Sequence, residues 1–187
     1  MTLRQTLVIA LLATSTSALA DAVDINLSDK SAQLRYSMPL GRDSLGKSEL
    51  NAGLLYSENG KGMIEAGMQV MNEVGANLPG LTVGVGLKGL AASVSKYDAG
   101  ALALGGQVRF SPPVAKRLGL VGQFYFAPKI VTFGDADRFI ETGLRLEYEI
   151  LPQATAYVGY RKIRFGIENG PGATLDEGAH VGVKFLF

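Results

Sequence analysis

The sequence of 187 residues contains no cysteine and no tryptophan, and His180 is its single histidine. Without cysteine the chain forms neither a disulfide framework nor a thiolate metal site, and one histidine excludes a site built from several imidazoles. The charge is balanced, with 18 Lys and Arg against 17 Asp and Glu. Because nucleic acids are bound by a net basic surface, they are not expected as partners. No cofactor is expected either.

A long apolar run is also missing. The run from Leu7 to Leu12 is too short for a membrane helix, which needs about 20 apolar residues. Arg4 precedes this run, and Ala18-Leu19-Ala20 follows it as a small-x-small cleavage pattern, so residues 1–20 are predicted to be a secretory signal peptide. We expect residues 21–187 to form one exported domain without a helical anchor, carrying 17 basic and 17 acidic residues once Arg4 is removed.

What the chain does contain is alternation of apolar and polar residues. Ten segments show it, and most have the roughly 9 to 11 residues that a tilted membrane strand requires. They are 22–28, 33–40, 48–57, 63–72, 81–90, 99–111, 118–127, 139–150, 154–165 and 178–187. All seven prolines fall at segment ends or between segments, as expected for a residue that cannot donate to a strand ladder.

The two faces of these segments differ in polarity. In the sixth segment one face carries Leu102, Leu104 and Phe110. The opposite face carries Gln107 and Arg109. A soluble sandwich or barrel turns its apolar face inward, whereas an outer-membrane barrel turns it toward lipid. Alternation alone does not choose between them, but the even segment count, the terminal Phe187 and aromatic residues near both ends of the apolar face favour the membrane barrel.

The predicted fold is therefore all-β: an antiparallel up-and-down transmembrane β-barrel of ten strands with a polar lumen. Eight strands remain the alternative if the first hairpin lies outside the wall. With both chain ends in the periplasm, 128–138 and 166–177 are predicted to be long extracellular loops and 151–153 a short periplasmic turn. The connection 73–80 is longer than this rule expects.

The end of the chain points to a family. Val181, Val183, Phe185 and Phe187 alternate along the last segment and look like the C-terminal assembly signal of outer-membrane barrels. Together with the signal sequence, the glycine-rich hairpins and Gly159-Tyr160-Arg161, this ending resembles the YfaZ-type outer-membrane proteins of Gram-negative bacteria. The resemblance spans essentially the whole mature chain. It implies a small outer-membrane barrel and brings no catalytic residues. We expect outer-membrane lipid and the barrel-assembly machinery as partners and a monomeric chain.

Charged residues on the polar face are predicted to form a network that fills the lumen, because buried charges persist only when they are paired. These residues are Glu65, Lys88, Arg109, Glu141, Arg145, Glu147, Glu149, Arg161 and Lys184. If the last long hairpin turns about Leu151, Glu141 lies opposite Arg161 and Thr155 lies opposite Glu147. A slip of one or two residues is allowed.

Other chemistry has weaker support. The sequence from Gly84 to Gly89 fits the G-x-G-x-x-G pattern, but no acid follows between Asp98 and Asp135, so alternating glycines in a barrel wall explain it better. A triad on His180 would need a hydroxyl and an acid beside it, and nothing in the sequence brings Ser111, Thr142 and Glu177 there, so no enzyme is expected. Four acids in the predicted outer loops could hold a divalent cation, but we expect them to be solvated loop residues: Asp135, Asp137, Asp176 and Glu177.

Three functions follow from these patterns. The first is a structural or surface-interaction role in the outer membrane, with the lumen filled by side chains. The second is a narrow passive pore for ions or small solutes. The third is a soluble periplasmic barrel that binds an apolar ligand.

The terminal alternation leads to a first prediction. Phe187→Asp should lower the yield of folded protein in outer membranes more than Leu186→Asp, because Leu186 is expected to face the lumen. A charge on the lipid face costs only about 0 to 1 kcal/mol near the interface, so the main loss should be in recognition by the assembly machinery. Heat-modifiable gel migration of membrane fractions measures the folded yield, and equal yields for the two variants would contradict the assignment.

Overall fold

The structure is a computed structural model that describes residues 20–44, 46–58, 60–75, 78–94, 96–168 and 170–187. The predicted signal peptide lies outside the described residues except for Ala20. The strands are β1 (Ala22–Ser28), β2 (Ser31–Asp43), β3 (Gly46–Ser57), β4 (Lys61–Glu73), β5 (Leu81–Val94), β6 (Tyr97–Phe110), β7 (Leu118–Ala127), β8 (Thr132–Gly134), β9 (Ala136–Leu151), β10 (Ala154–Ile167) and β11 (Ala173–Leu186). A 3-10 turn at Lys129–Val131 separates β7 from β8. No helix in the described part of the chain is long and apolar enough to cross a membrane.

The strands form a closed antiparallel wall. β1 pairs with β11 from Ala22 opposite Leu186 to Ser28 opposite His180, and this pairing closes the barrel. β7 and the short β8 both pair with β6, so they are two pieces of one wall strand. The wall therefore has ten strand positions, which confirms the predicted fold class. The eight-strand alternative is wrong because the first hairpin belongs to the wall.

The apolar face of the wall points outward. Leu104 is 68% exposed, whereas its neighbour Ala103, on the opposite face, is fully buried. On β9, Leu144 is exposed and Glu141 is buried. This is the inverted arrangement of a membrane barrel, in which lipid replaces water outside and the lumen takes the polar side chains. A soluble barrel keeps its apolar face inside, so the exposed apolar face argues against the third function.

The wall has two rims, which we name by the chain ends. The terminal rim carries Asp21 and Phe187, whose backbones are joined by a hydrogen bond of 3.0 Å. The distal rim carries the β1–β2, β3–β4, β5–β6 and β10–β11 connections. The prediction of long loops at 128–138 and 166–177 is wrong. Most of these residues belong to strands: to β8 and the start of β9 in the first range, and to the end of β10 and the start of β11 in the second. Ala136 and Ile167 explain the difference, since extending the wall buries them inside the barrel.

The lumen is polar only in part, which corrects the prediction. Inside the distal half of the barrel lies a core of apolar side chains, in which Val94, Phe139, Ile163, Phe165 and Leu175 are almost fully buried. The rings of Phe139 and Phe165 lie directly opposite across β9 and β10, with centroids 5.1 Å apart. Val94 and Leu175 lie beyond the predicted segments, and Phe139, Ile163 and Phe165 lie at or near segment ends, where alternation alone does not separate an apolar part of the inner face from the polar part.

Glycines on the wall make room for inward aromatic rings. A Cβ at Gly105 would collide with the Phe124 backbone carbonyl on the neighbouring strand and lie 2.7 Å from the ring of Tyr125, and a Cβ at Gly182 would collide with the ring of Tyr157. The same reason applies to the G-x-G-x-x-G stretch: a Cβ at Gly86 would lie 3.0 Å from the Tyr125 hydroxyl. The stretch belongs to strand β5 and is not followed by a helix. It is a wall segment, as the sequence indicates.

The register of the β9–β10 hairpin differs from the prediction by two residues. Arg161 lies opposite Gly143, and Thr155 lies opposite Glu149. Pro152 and Gln153 form the turn, because proline has no N–H group to donate to the strand ladder. The turn is therefore centred after Leu151 and not on it. A shift of two residues keeps every side chain on its face, so the assignment of inward and outward residues is unaffected.

Because the chain lacks cysteine, the reactivity of a single introduced cysteine shows directly whether that position faces lipid or the lumen. Leu104→Cys and Leu144→Cys should react with a lipid-restricted maleimide in proteoliposomes, because both positions point outward. Ala103→Cys and Arg145→Cys, their neighbours on the inner face, should not react. Labelling measured by mass spectrometry checks this, and stronger reaction at the inner pair would contradict the orientation of the wall.

Candidate functional site in the lumen

A layer of buried charge spans the middle of the lumen, directly below the apolar core. Lys88 Nζ lies 3.0 Å from Glu65 Oε2 and 2.6 Å from Glu141 Oε2. Arg35 Nη2 approaches the other oxygen of Glu65 at 2.6 Å, and Gln123 donates to Glu141 Oε1 at 2.8 Å. Both carboxylates are therefore hydrogen-bonded at both oxygens. We call these five residues the charge layer.

The barrel wall brings the charge layer together from distant strands. Lys88 lies on β5 and Glu141 on β9, with β6 and β7 between them, so the lysine side chain crosses the lumen. Its ammonium group also lies 4.2 Å from the centre of the Tyr125 ring. The side chains of Lys88, Glu65 and Glu141 are 5%, 2% and 1% exposed. Removing one partner would leave a buried charge uncompensated, which is far more costly than losing a surface pair.

A second buried group lies against the apolar core. Arg161 donates from Nε and Nη2 to Asp176 Oδ2 at 2.9 and 2.7 Å, and Nη1 donates to Gln33 Oε1. Asp176 was expected in an outer loop, but it lies on β11 and is buried. A register irregularity between Ile163 and Arg164 leaves Leu175 unpaired there, so Leu175 and Asp176 are both buried. An isolated sequence gives no signal for that irregularity.

A third group lies nearer the terminal rim. Glu147 accepts a hydrogen bond from Arg145 Nε at 2.8 Å, and its other carboxylate oxygen lies 2.8 Å from Arg109 Nη1. Arg145 also lies 3.9 Å from Asp24, which accepts a hydrogen bond from the Tyr157 hydroxyl. Opposite charges thus line the inner wall from the terminal rim to the apolar core.

The predicted lumen residues are only partly brought together. Glu149 and Lys184 make no ion pair with any described residue, and they line an open cavity of about 370 Å³ below the charge layer. We call this cavity the terminal vestibule. Sequence reasoning missed Asp24 and Arg35 as partners, although both are polar residues of the two shortest predicted segments and share the inner face.

The structure does not assemble a triad around His180. The imidazole is buried in the lumen beside Tyr157, with ring centroids 6.0 Å apart. Glu177 is exposed on β11, where it contacts Tyr160 and Lys162, and Thr142 lies opposite Lys162 on the same outer face. The wall therefore separates these groups from the histidine.

The four acids considered as cation ligands do not converge. Asp176 is paired with Arg161, and Glu177 lies 2.9 Å from Lys162. Asp135 accepts a hydrogen bond from the Asp98 backbone at 3.0 Å, and Asp137 belongs to β9. Within the described ranges no group of three or more His, Asp or Glu side chains is placed to hold a metal ion.

The residues of the predicted assembly signal lie on β11 and directly after it. Val181, Phe185 and Phe187 are exposed on the outer face, and Val183 is half-buried there. Leu186 lines the terminal vestibule, as expected for a lumen residue. Recognition of this stretch by assembly machinery stays a prediction.

The charge layer predicts a specific stability pattern. Lys88→Met should lower the free energy of unfolding by about 3 to 5 kcal/mol, because Glu65 and Glu141 lose their shared cation. Lys88→Met combined with Glu141→Gln should recover part of that loss, since Glu65 keeps Arg35. Urea unfolding in phospholipid vesicles measures both. Lys162→Ala is the control, because its pair with Glu177 is exposed to solvent and contributes little to stability. Equal losses for Lys88→Met and Lys162→Ala would contradict a structural role for the layer.

Comparison with known proteins places the chain in a family. Among curated proteins none matches it in sequence. Similar solved structures include the KdgM porin, with 11% identity and a TM-score of 0.47, and the NanC porin, with 13% identity and a TM-score of 0.47. Each alignment covers 90% of this chain and 99% of the porin chain. The scores are low, so the architecture rests on this chain's own strand pairing. The sequence model of the family described as YfaZ precursor matches residues 2–187, and the chain belongs to that family, as its sequence predicts.

Proposed function

We propose that the protein is a non-conducting outer-membrane β-barrel with a structural or surface-interaction role. On this proposal the barrel is a monomer embedded in lipid, inserted by the barrel-assembly machinery, and it performs no catalysis. Both chain ends face the periplasm, and the distal rim faces outward.

The outer surface supports the membrane location. Exposed aromatic side chains flank the apolar belt on both sides, as expected for rings that prefer the interface between lipid and water. Those nearer the distal rim are Tyr56 and Phe133, those nearer the terminal rim are Phe110, Tyr148, Phe185 and Phe187, and Phe124 and Tyr160 lie between them. A soluble protein would lose stability and solubility by exposing a continuous belt of this kind.

The single observation that carries the non-conducting role is the bridge of Lys88 to Glu65 and Glu141 across the lumen. Above this bridge the rings of Phe139 and Phe165 are fully buried. A solute on a path through the barrel would first have to break paired buried charges and then displace close-packed apolar side chains. Both steps are costly, since each leaves groups without their partners.

A narrow passive pore is the second candidate, and one observation favours it. The terminal vestibule is polar, has a volume of about 370 Å³ and carries charges of both signs. It would admit water and small solutes from the terminal rim. Because it ends at the charge layer, it serves as an entrance only if the layer and the apolar core move aside.

Planar-bilayer recording tests the proposal. Wild-type protein should show no steady single-channel conductance. The triple variant Lys88→Ala, Phe139→Ala and Phe165→Ala should show openings, because it removes both barriers. Leu104→Ala, Leu144→Ala and Leu146→Ala together remove outward side chains and serve as the control, which should stay closed.

One outcome of the recording would contradict the proposal. Steady conductance of the wild-type protein that changes in Arg161→Ala would overturn the closed lumen and favour the pore. Heat-modifiable migration of every variant confirms that the recorded species is folded.

A further inference from the structure

A cavity of about 260 Å³ opens on the outer surface of the wall near the distal rim. Strands β9 and β10 and the connection after β10 form it, and its charged lining residues are Asp137, Arg138 and Arg164. Ile140 forms its lower edge toward the apolar belt. Unlike the charges of the lumen, these groups lie on the side of the wall that faces lipid.

The two arginines are close neighbours on that face. Arg138 lies opposite Gly166, and Arg164 lies opposite Ile140, so the arginines occupy diagonal positions of one antiparallel pair. Diagonal neighbours lie about 7 to 8 Å apart at the backbone, which long side chains easily span. Both side chains are exposed. Two guanidinium groups are thereby offered to one ligand.

Apart from Asp137, which lines the same cavity, the acids near this pair are engaged by other partners. Glu177 binds Lys162 at 2.9 Å and accepts from the Tyr160 hydroxyl at 3.0 Å. Glu168 lies 2.5 Å from Lys129. Throughout the described residues, neither Arg138 nor Arg164 has an acid within ion-pair distance. Two adjacent guanidinium groups with no acid within ion-pair distance form a site for an anion that offers several oxygens, above all phosphate.

The position of the pair along the wall indicates where that phosphate lies. On β10 the outward residues run from Val158 through Tyr160 and Lys162 to Arg164. Phe185 lies opposite Ala154 near the terminal rim, and Arg164 is ten residues further along β10, about 33 Å along the strand and about 25 Å in height for a strand tilted as in membrane barrels. If Phe185 lies at the terminal edge of the hydrocarbon, whose band is about 25 Å tall in such barrels, Arg164 lies at the level of the lipid headgroups on the distal side.

Asp137 adds a second element of recognition. Its carboxylate lies against Gly166, and Oδ1 is buried without a hydrogen-bond partner among the described residues. A carboxylate oxygen beside a bound phosphate is repulsive unless the ligand also offers a hydrogen-bond donor. A sugar hydroxyl next to the phosphate is such a donor.

We propose that Arg138 and Arg164 form a binding site for the phosphate of a phosphorylated glycolipid in the outer leaflet, with its acyl chains along the outward face of β9 and β10. Asp137 accepts a hydrogen bond from a sugar hydroxyl of the headgroup. The proposal rests on the proposed function for the membrane location and for the orientation of the distal rim. A free anion would use the arginines alone, whereas a lipid also covers Ile140, Leu144 and Tyr160 beneath them.

Native mass spectrometry of the folded protein in detergent tests the site, with diphosphorylated lipid A as the probe and its dephosphorylated form as the comparison. Wild-type protein should retain the phosphorylated lipid preferentially. Arg138→Ala with Arg164→Ala should weaken its binding by about tenfold or more. Lys116→Ala with Arg117→Ala is the matched control, because it removes two exposed basic groups at the terminal rim and should leave binding unchanged.

The outcomes separate the site from the membrane role. Equal retention by the site variant and the control would overturn the site, as would displacement of the lipid by an excess of inorganic phosphate as effective as that by free lipid A. A larger loss in the Lys116 and Arg117 variant would also overturn it, since the binding face would then be the terminal rim. If wild-type protein retains neither lipid and stays folded in buffer without detergent, the proposed membrane function fails as well.

Discussion

The pairing of β1 with β11 is the interaction on which the rest of the structure depends. Once Ala22 lies opposite Leu186 and Ser28 opposite His180, the wall has no free edge, and every inward side chain shares one narrow lumen. Closure therefore turns residues that are distant in sequence into direct neighbours. Lys88 reaches Glu141 only because ten strands, and not an open sheet, surround it.

The closed lumen explains why its contents are paired or apolar. Glu65 and Glu141 are removed from water and are stabilised by Lys88, Arg35 and Gln123. The distal half is filled mainly with close-packed apolar groups, and Arg161 and Asp176 beside them are paired with each other. The same wall presents the opposite polarity outward, where an apolar belt ends in aromatic rings. One alternation along each strand thus produces both a membrane surface and a filled interior.

The outer face is not uniform around the barrel. Near the distal rim, Lys162 neutralises Glu177, and Arg138 and Arg164 remain beside Asp137 without an acid in ion-pair distance within the described chain. If the proposed lipid site is correct, paired charges inside the barrel and a headgroup site outside it lie on opposite faces of the same two strands, β9 and β10.

The sequence by itself determined the features that depend on local period. Alternation predicted ten strands. It also predicted that Leu104 and Leu144 point outward and that Glu141 and Arg161 point into the lumen, because a two-residue period assigns each side chain to a face. Only the tertiary structure decided which charges meet, since the partners of Lys88 and Arg161 depend on closure, on the turn at Pro152 and on the irregularity beside Asp176. It also decided that the distal lumen is an apolar core, because strand ends are set by what their inward side chains pack against.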